Sequence, residues 1–321
     1  MRCVVLDSAA MSAPGAVDLS VQIGPLHLTN PVLAASGTFG YGIEFAELVD
    51  LNRLGGFVTK GLSLKPMMGA PAPRLCETPA GMLNAVGLQN VGVEAFIRER
   101  LPQLRKFRTH VVANIFGESI AEYAEVARHL EGAEGISAYE LNVSCPNTDC
   151  GGILFGYDPV QTSKVVAGVR AVAKRPLWVK LTPNVSDIKV IIRAAEGAGA
   201  DAFTIANTYP AMSVDYKTRK SRLGRPTGGL SGPAIRPITV RLVSEASTAT
   251  TLPILGLGGI ESAEDVMEYM TVGATAVQVG TASFADPRAC ERLIDELLGV
   301  CTASNISTIN SLRGTLVREL D

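Results

Sequence analysis

Short apolar segments alternate along the chain with segments whose apolar residues recur at helical spacing. The short segments are rich in Val, Ile and Leu and run into Gly, Ser, Thr or Asn; they cover 32–37, 56–61, 111–117, 137–145, 177–183, 202–208, 253–259 and 276–282. Helical periodicity covers 120–130, 161–173, 188–198, 235–246, 263–271 and 287–298. Apolar strands separated by crossover helices indicate a parallel sheet covered on both faces. The pattern predicts an α/β fold, a single (β/α)8 barrel, with a doubly wound sheet as the alternative.

The predicted barrel spans the whole chain as one domain, residues 1–321, with residues 1–17 expected to form a flexible or extended amino-terminal segment. In such barrels, functional residues gather where the strands end and the following loops begin. The polar and glycine residues found there are Ser36, Thr38, Lys60, Asn114, Asn142, Cys145, Asn147, Lys180, Thr182, Asn207, Thr208, Gly258, Gly259, Gly280 and Thr281. Since two lysines and four asparagines converge on one mouth, we expect a binding site there.

Two glycine-rich strand ends resemble phosphate cradles. The segments PILGLGGIE (253–261) and AVQVGTA (276–282) each end in glycine just before a helical pattern. Glycine lets the backbone approach an anion closely, and barrels often bind phosphate after strands seven and eight. Ordinary turn glycines are the alternative. A dinucleotide fingerprint is not favoured, because Glu261 stands where the third glycine would be.

Two lysines and a set of asparagines suit a charged, planar ligand. Lys60 and Lys180 lie in apolar strand contexts, where an ammonium group needs an anion or a lone-pair acceptor. Structural ion pairs, or a Schiff-base role for Lys180, are the alternatives. Asn84, Asn142, Asn147 and Asn207 carry donors and acceptors that match a heterocycle with C=O and N–H groups, although each alone could be a turn residue.

Cys145 differs from the other five cysteines by its neighbours, Asn142 and the Pro146–Asn147 turn. A thiol can act as a general base near neutral pH when a cation stabilises its thiolate. We read Cys3, Cys76, Cys150, Cys290 and Cys301 as inert thiols, and we expect no metal site because no paired C-x-x-C motif is present.

The composition argues against nucleic acids and membranes as partners. Lys and Arg total 29 against 31 Asp and Glu, so no general affinity for nucleic acid or an anionic membrane is expected. Hydrophobic residues make up 47%, but no uncharged stretch reaches the length of a membrane span, and the amino terminus lacks a signal-peptide core. We therefore expect a folded, cytoplasmic protein.

Ten motifs, taken in order, resemble the dihydroorotate dehydrogenase family, and the catalytic subunit of its bacterial class 1B in particular. They are NPVLAASGTFGYG, GGFVTKGLSLKP, GMLNAVGLQNVG, VVANIFG, ELNVSCPNT, VKLTPN, ANTYPAM, GGLSGPAIRP, LGLGGI and VQVGTASF. The resemblance spans nearly the whole chain. It implies an FMN-binding barrel that oxidises (S)-dihydroorotate to orotate in de novo pyrimidine (UMP) biosynthesis.

The resemblance also assigns site residues. It implies FMN contacts from Ser36, Lys60, Gly61, Asn114, Asn142, Lys180, Ala206, Gly232, Gly258, Gly259, Gly280 and Thr281. It implies substrate contacts from Lys60, Asn84, Ala85, Val86, Gly87, Leu88, Asn142, Asn207 and Thr208. Cys145 would be the catalytic base, and Lys180 would support the negative charge that arrives on the reduced flavin.

The resemblance also bears on the electron acceptor, which differs between the classes of the family. Class 2 relatives carry serine in place of Cys145 and an amino-terminal membrane segment, so class 2 is not favoured. Class 1B relatives pass electrons to NAD through a second subunit with FAD and a [2Fe-2S] cluster, two copies of each subunit forming a heterotetramer. The basic stretch 216–225 could dock such a subunit, cover the site or be a solvated loop. Class 1A with fumarate as acceptor, a Lys180 Schiff-base aldolase and a noncatalytic flavin-binding module remain alternatives.

Overall fold

Eight parallel strands close into a barrel in the computed structural model, which describes residues 17–144, 146–147 and 153–318. The strands are β1 (Val32–Ala34), β2 (Gly56–Val58), β3 (Val111–Ile115), β4 (Ala138–Asn142), β5 (Leu177–Lys180), β6 (Ala202–Ile205), β7 (Ile254–Leu257) and β8 (Ala276–Val279). They pair in chain order, with β8 closing onto β1. The barrel prediction is confirmed and the doubly wound alternative is wrong. Cys145 lies outside the described residues, as does nearly all of the predicted amino-terminal segment.

Each predicted strand is present. Five of them end before the polar or glycine residue that the sequence placed at their end, whereas β3, β4 and β5 include Asn114, Asn142 and Lys180. The hydrogen-bonded ladder stops at Ala34, Val58, Ile205 and Val279, for example, and the loops begin there. Every residue of these four strands is buried. Since the strands are parallel, all of their carboxyl ends open at the same face of the barrel.

The outer layer consists of the predicted helices and shorter pieces. The long helices are Ile120–Glu131, Pro159–Arg170, Ile188–Gly197, Arg236–Ala246, Ala263–Thr271 and Ala289–Ala303. Side chains of Ser119, Asp158, Asp187 and Ser262 accept backbone N–H groups at four of their amino ends. None of the helices in the described ranges combines the length and the apolar character needed to cross a bilayer.

Two connections depart from the regular alternation of strand and helix. The chain after β1 forms only the 3₁₀ turns Ile43–Phe45 and Leu51–Arg53, because Gly40 and Gly42 take positive φ angles that break a helix. After β2 a helical segment runs through Val93–Ala95, a π-helical turn Phe96–Arg100 and Leu101–Leu104, which the periodicity did not predict.

A hairpin of Val21–Ile23 and Leu26–Leu28 covers the amino-terminal face of the barrel. Ile23 and Leu28 are fully buried in the core. The ring of His110, the residue just before β3, bonds the carbonyl of His27 through Nε2 at 2.9 Å. This end of the barrel is therefore closed, which leaves the opposite face for a site.

Two loops that are far apart in sequence join in a four-stranded antiparallel sheet at the carboxyl-terminal face. The order is Tyr209–Ala211, Gly228–Ser231, Gly81–Asn84 and Leu75–Thr78, so the loop after β2 pairs with the loop after β6. We call these four strands the roof sheet. Met82, Asn84, Gly229 and Ser231 face the barrel mouth, whereas the alternate residues Leu83 and Leu230 pack in a small outer cluster. The roof sheet encloses a cavity over the barrel.

Candidate active site

A cavity of about 500 Å³ lies between the barrel mouth and the roof sheet. This volume is within the range of sites that take a cofactor or a small ligand. Its lining includes Ser36, Lys60, Gly61, Asn114, Asn142, Ala206, Gly232, Gly258, Gly259, Gly280 and Thr281. It also includes Asn84, Ala85, Val86, Gly87, Leu88, Asn207 and Thr208. All residues that the resemblance assigns to the site, except Lys180 and Cys145, therefore line one cavity. The side chain of Asn147, the remaining predicted asparagine, is outside the described part of the structure.

Lys180, at the end of β5, lies just behind the cavity wall. Its side chain is almost fully buried, and Nζ donates to the Ser36 hydroxyl at 3.0 Å. Nζ also lies 3.7 Å from the carboxylate of Glu140. The ammonium group thus meets the cavity through Ser36, which lines it.

Glu140 is a functional candidate that the sequence reasoning missed. It lies on β4 two residues before Asn142, so both side chains point into the barrel. It has no exposed surface and accepts hydrogen bonds from Asn114, Thr204 and Gln278. The available signal was a carboxylate in the middle of a strand that is otherwise apolar up to Asn142.

The cavity presents amide groups in fixed orientations. The side-chain oxygen of Asn142 accepts from the Asn207 amide at 3.2 Å and from the Ser144 backbone N–H at 3.2 Å. Asn84 donates to the carbonyl of Gly229 across the roof sheet at 3.2 Å. Residues from β4, the loop after β6 and the roof sheet are thereby held around one volume, as recognition of a planar polar ligand requires.

Lys60 supplies a cation to this volume. Its side chain is half-buried, and its backbone N–H donates to the carbonyl of Gly40 at 2.7 Å. Burial lowers the pKa of the Lys60 ammonium, and the charge of Arg74 lowers it further, while Glu44 acts in the opposite direction. An anionic ligand beside Lys60 would offset the cost of burying this charge.

The glycine-rich end of the cavity has the features of an anion cradle. Within the described residues, the backbone N–H groups of Gly258, Gly259 and Gly280 donate to no protein acceptor. Gly258 and Gly259 have φ angles of +146° and +69°, and a Cβ on Gly259 would lie 2.8 Å from the carbonyl oxygen of Gly232. Free N–H groups on a tightly packed glycine backbone suit a phosphate, so this end of the cavity fits the phosphate of a flavin mononucleotide.

A family model of dihydroorotate dehydrogenases matches residues 18–300. The chain belongs to the dihydroorotate dehydrogenase family. A relative from Trichlorobacter lovleyi, named dihydroorotate dehydrogenase B (NAD(+)), catalytic subunit, is 51% identical over 93% of this chain and 98% of its own length. A relative from Thermodesulfovibrio yellowstonii with the same name is 50% identical over 92% of this chain and 98% of its own length. A Solibacter usitatus protein, provisionally named dihydroorotate dehydrogenase A (fumarate), is 53% identical over 93% of this chain and 98% of its own length.

As a member of this family, the chain is an oxidoreductase, and the family is flavin-dependent and acts in pyrimidine biosynthesis. That assignment replaces the Schiff-base aldolase alternative, and the geometry agrees with it because Lys180 is paired with Glu140 behind the cavity wall. The residues that the family model matches, 18–300, include all eight barrel strands and the roof sheet.

The cavity contains further residues that sequence reasoning did not assign to the site. They are Asn184 after β5, Ser231 and Arg225 from the loop after β6, and the aromatic residues Phe116, Tyr157 and Phe284. The Thr281 hydroxyl donates to Ser231 at 2.8 Å, which ties the end of β8 to the roof sheet. The strand-end pattern had placed Thr38 and Thr182 at the barrel mouth, and both line the cavity. Arg225 ends the basic stretch 216–225, whereas no local pattern marks Ser231.

Proposed function

We propose that this protein oxidises (S)-dihydroorotate to orotate with FMN as its bound cofactor. The observation that carries the proposal is a single cavity that joins a glycine anion cradle to a cluster of amides beside a half-buried lysine. The two ends match the two chemical parts of the proposed complex, a phosphorylated flavin and a small anionic pyrimidine. We treat residues 1–321 as one domain and place the protein in the cytoplasm.

FMN binding is assigned to the residues around the cradle and the barrel mouth. Gly258, Gly259 and Gly280 would hold the phosphate through their backbone N–H groups, and Thr281 and Gly232 would complete the cradle. Toward the barrel axis, the side chains of Ser36, Asn114 and Lys180 would contact the ring system, with Lys60, Gly61, Asn142 and Ala206 beside them. When bound, FMN supplies the acceptor for the hydride from C6 of dihydroorotate.

Dihydroorotate binding is assigned to the roof sheet and the amide cluster. Lys60 would pair with the substrate carboxylate, and Asn84, Asn142 and Asn207 would bond the ring carbonyl and N–H groups. Thr208 and the segment of residues 85–88 would shape the remaining walls. This enclosure excludes water and holds the substrate in one orientation.

Cys145 is proposed as the general base, and its role is an extension from the family resemblance to a residue outside the described ones. Its thiolate Sγ would take the proton from C5 while the hydride leaves C6, which accounts for both hydrogens lost when the C5–C6 double bond of orotate forms. Lys180, held by Ser36 and Glu140, would place a positive charge where reduction brings negative charge. The protein thereby contributes orientation, a proton acceptor and electrostatic stabilisation.

The test is anaerobic reduction of the purified yellow protein by dihydroorotate, and the loss of flavin absorbance is the readout. We expect wild type to bleach and Cys145→Ala to keep its flavin but bleach about 10²- to 10⁴-fold more slowly, the usual value of general-base assistance. Cys145→Ser should be slower than wild type near neutral pH, since a hydroxyl is far harder to deprotonate. A yellow wild-type protein that does not bleach would support the noncatalytic flavin-binding alternative. Wild-type rates in Cys145→Ala would remove Cys145 from the mechanism.

We further propose that the electrons pass to NAD through a second subunit that carries FAD and a [2Fe-2S] cluster, in a heterotetramer with two copies of each subunit. Support comes from the relatives named as NAD(+)-linked catalytic subunits. The Solibacter relative supports a second candidate, in which this chain works alone and reduces fumarate. Purification from the native host distinguishes them: a flavoprotein partner and NADH formation support the first, and direct fumarate reduction without a partner supports the second.

A further inference from the structure

The interior of the barrel holds a carboxylate that the proposed reaction does not use directly. Glu140 has no exposed surface. One oxygen, Oε1, accepts from the Asn114 amide at 2.7 Å, and the other, Oε2, accepts from Thr204 at 2.8 Å and from Gln278 at 2.6 Å. Four barrel strands, β3, β4, β6 and β8, thus meet at this group, which lies below the cavity.

The same carboxylate fixes two groups that reach the proposed flavin site. Oε1 of Glu140 accepts from Asn114, which lines the cavity, and lies 3.7 Å from Nζ of Lys180. Lys180 in turn donates to Ser36 at the cavity wall. Moving or neutralising Glu140 would therefore change both the position of these donors and the net charge beneath the cavity.

Stability alone is a weak reason to keep such a pair. The desolvation cost of two buried charges often exceeds their attraction, and apolar replacements of similar volume are commonly as stable or more stable. Buried polar networks can instead hold side chains in one arrangement. Here the arrangement is directed at the cavity, so a role in the chemistry is the stronger explanation.

We propose that Glu140 is a positioning residue for the reaction: it holds Lys180 and Asn114 against the flavin site, and its negative charge limits how strongly Lys180 stabilises the reduced flavin. The inference rests on the proposed function, because it concerns a flavin in this cavity. It predicts that removing the charge of Glu140 favours the reduced, more negative form of the cofactor over the oxidised form.

Glu140→Gln tests this with little change in shape. The Oε1 atom of Gln278 has no hydrogen-bond partner within the described residues. Rotation of the Gln278 amide by half a turn would present this oxygen to the new amide nitrogen at position 140. The variant therefore loses the charge while the hydrogen-bond network can be kept, and we expect it to fold.

The measurement is the affinity of the flavin-stripped full chain for oxidised and for reduced FMN, by anaerobic fluorescence titration, together with the flavin potential. In Glu140→Gln, the preference for reduced over oxidised FMN should rise about 10-fold relative to wild type, which equals a positive shift of about 30 mV for a two-electron couple. A purely structural defect would weaken both affinities together and leave their ratio unchanged.

Glu131→Gln is the matched control. The Glu131 carboxylate is also paired with a cation, Arg175, and accepts from the Tyr139 hydroxyl, but unlike the Glu140 partner Asn114, neither of these partners lines the cavity. We expect this variant to keep the wild-type ratio of affinities. A shift in Glu140→Gln but not in Glu131→Gln supports the inference.

Three outcomes would overturn the inference, and they are distinguishable. If wild type binds FMN and is reduced by dihydroorotate while Glu140→Gln keeps the wild-type ratio and potential, Glu140 has only a structural role and the proposed function stands. If wild type binds no FMN, both the proposed function and the role of Glu140 are wrong. A Glu140→Gln chain that did not fold would show a structural role and would likewise overturn the inference.

Discussion

Gly280 offers a way to disturb the proposed phosphate cradle without disturbing the fold. A Cβ added there would lie 3.6 Å from Cβ of Ala35, 3.8 Å from Cγ2 of Thr38 and 3.9 Å from Cδ1 of Leu257, which are ordinary contact distances. These three residues all line the cavity, so the new methyl group would lie at the cavity wall. Gly280→Ala is therefore expected to keep the barrel intact and to crowd its ligand.

The size of the effect follows from the contact that would be lost. A hydrogen bond to a charged group contributes about 1.5–3 kcal/mol. If the methyl group keeps the phosphate from the N–H of Gly280, FMN should bind about 10- to 100-fold more weakly, at about 1.4 kcal/mol per factor of ten. The free energy of unfolding of the flavin-free chain should stay within about 1 kcal/mol of wild type, since a sterically compatible Gly→Ala change has an effect of about 0.4–1 kcal/mol.

The assay is fluorescence titration of flavin-stripped protein with FMN, combined with denaturant unfolding of the same preparations. Gly299→Ala is the control for glycine replacement: its Cβ would meet nothing within 4 Å, so it should stabilise its helix by about 0.5–1 kcal/mol and leave FMN affinity unchanged. Gly256→Ala is the steric control, because its Cβ would lie 2.3 Å from the Tyr269 ring and should destabilise the fold by about 1–3 kcal/mol. Unchanged FMN affinity in Gly280→Ala would refute the placement of the phosphate.

Two further predictions concern alkaline stability and the partner subunit. Burial raises the pKa of the Cys290 thiol from 9.0 to about 12. As the pH rises, the thiol therefore loses its proton in the unfolded chain before it does so in the folded chain, and the free energy of unfolding falls by about 1.4 kcal/mol per pH unit between pH 9 and 12. Cys290→Ala should remove this contribution to the pH dependence. The basic stretch 216–225 includes the turn of a hairpin between Val214–Asp215 and Lys220–Ser221, which we call the basic hairpin. If this hairpin docks the partner through rim charges, reversing two exposed charges with Lys217→Glu and Arg219→Glu should slow NADH formation by the assembled complex at least about 10-fold and leave bleaching by dihydroorotate unchanged.

Each of these predictions has its own control and contrary result. For the thiol, urea unfolding of wild type and Cys290→Ala at pH 7 gives the packing effect alone; the same pH slope in both proteins would contradict the buried-thiol account. For the hairpin, Arg128→Glu with Lys164→Glu reverses two exposed charges on the helices Ile120–Glu131 and Pro159–Arg170. Equal NADH formation in the hairpin variant and in this control would show that the hairpin is a solvated loop.

Local sequence pattern was sufficient for the barrel. Runs of Val, Ile and Leu that are buried on both faces identify parallel strands. Each of the eight predicted segments contains one strand of the closed barrel. The same pattern placed most of the site, because parallel strands end at one face and polar residues at those ends must come together. Lys60, Asn114, Asn142 and Gly280 line one cavity for this reason.

Tertiary structure alone decided the roof sheet and the buried network. Pairing of Gly81–Asn84 with Gly228–Ser231 joins segments more than a hundred residues apart, and no local propensity states which distant strand a segment will meet. In the sequence alone, Glu140 is likewise an isolated charge in an apolar strand. The register of the closed barrel brings Asn114, Thr204 and Gln278 within hydrogen-bonding distance of its carboxylate. Periodicity along a chain is a local property, whereas register between strands and the partners of a buried charge depend on how the whole barrel closes.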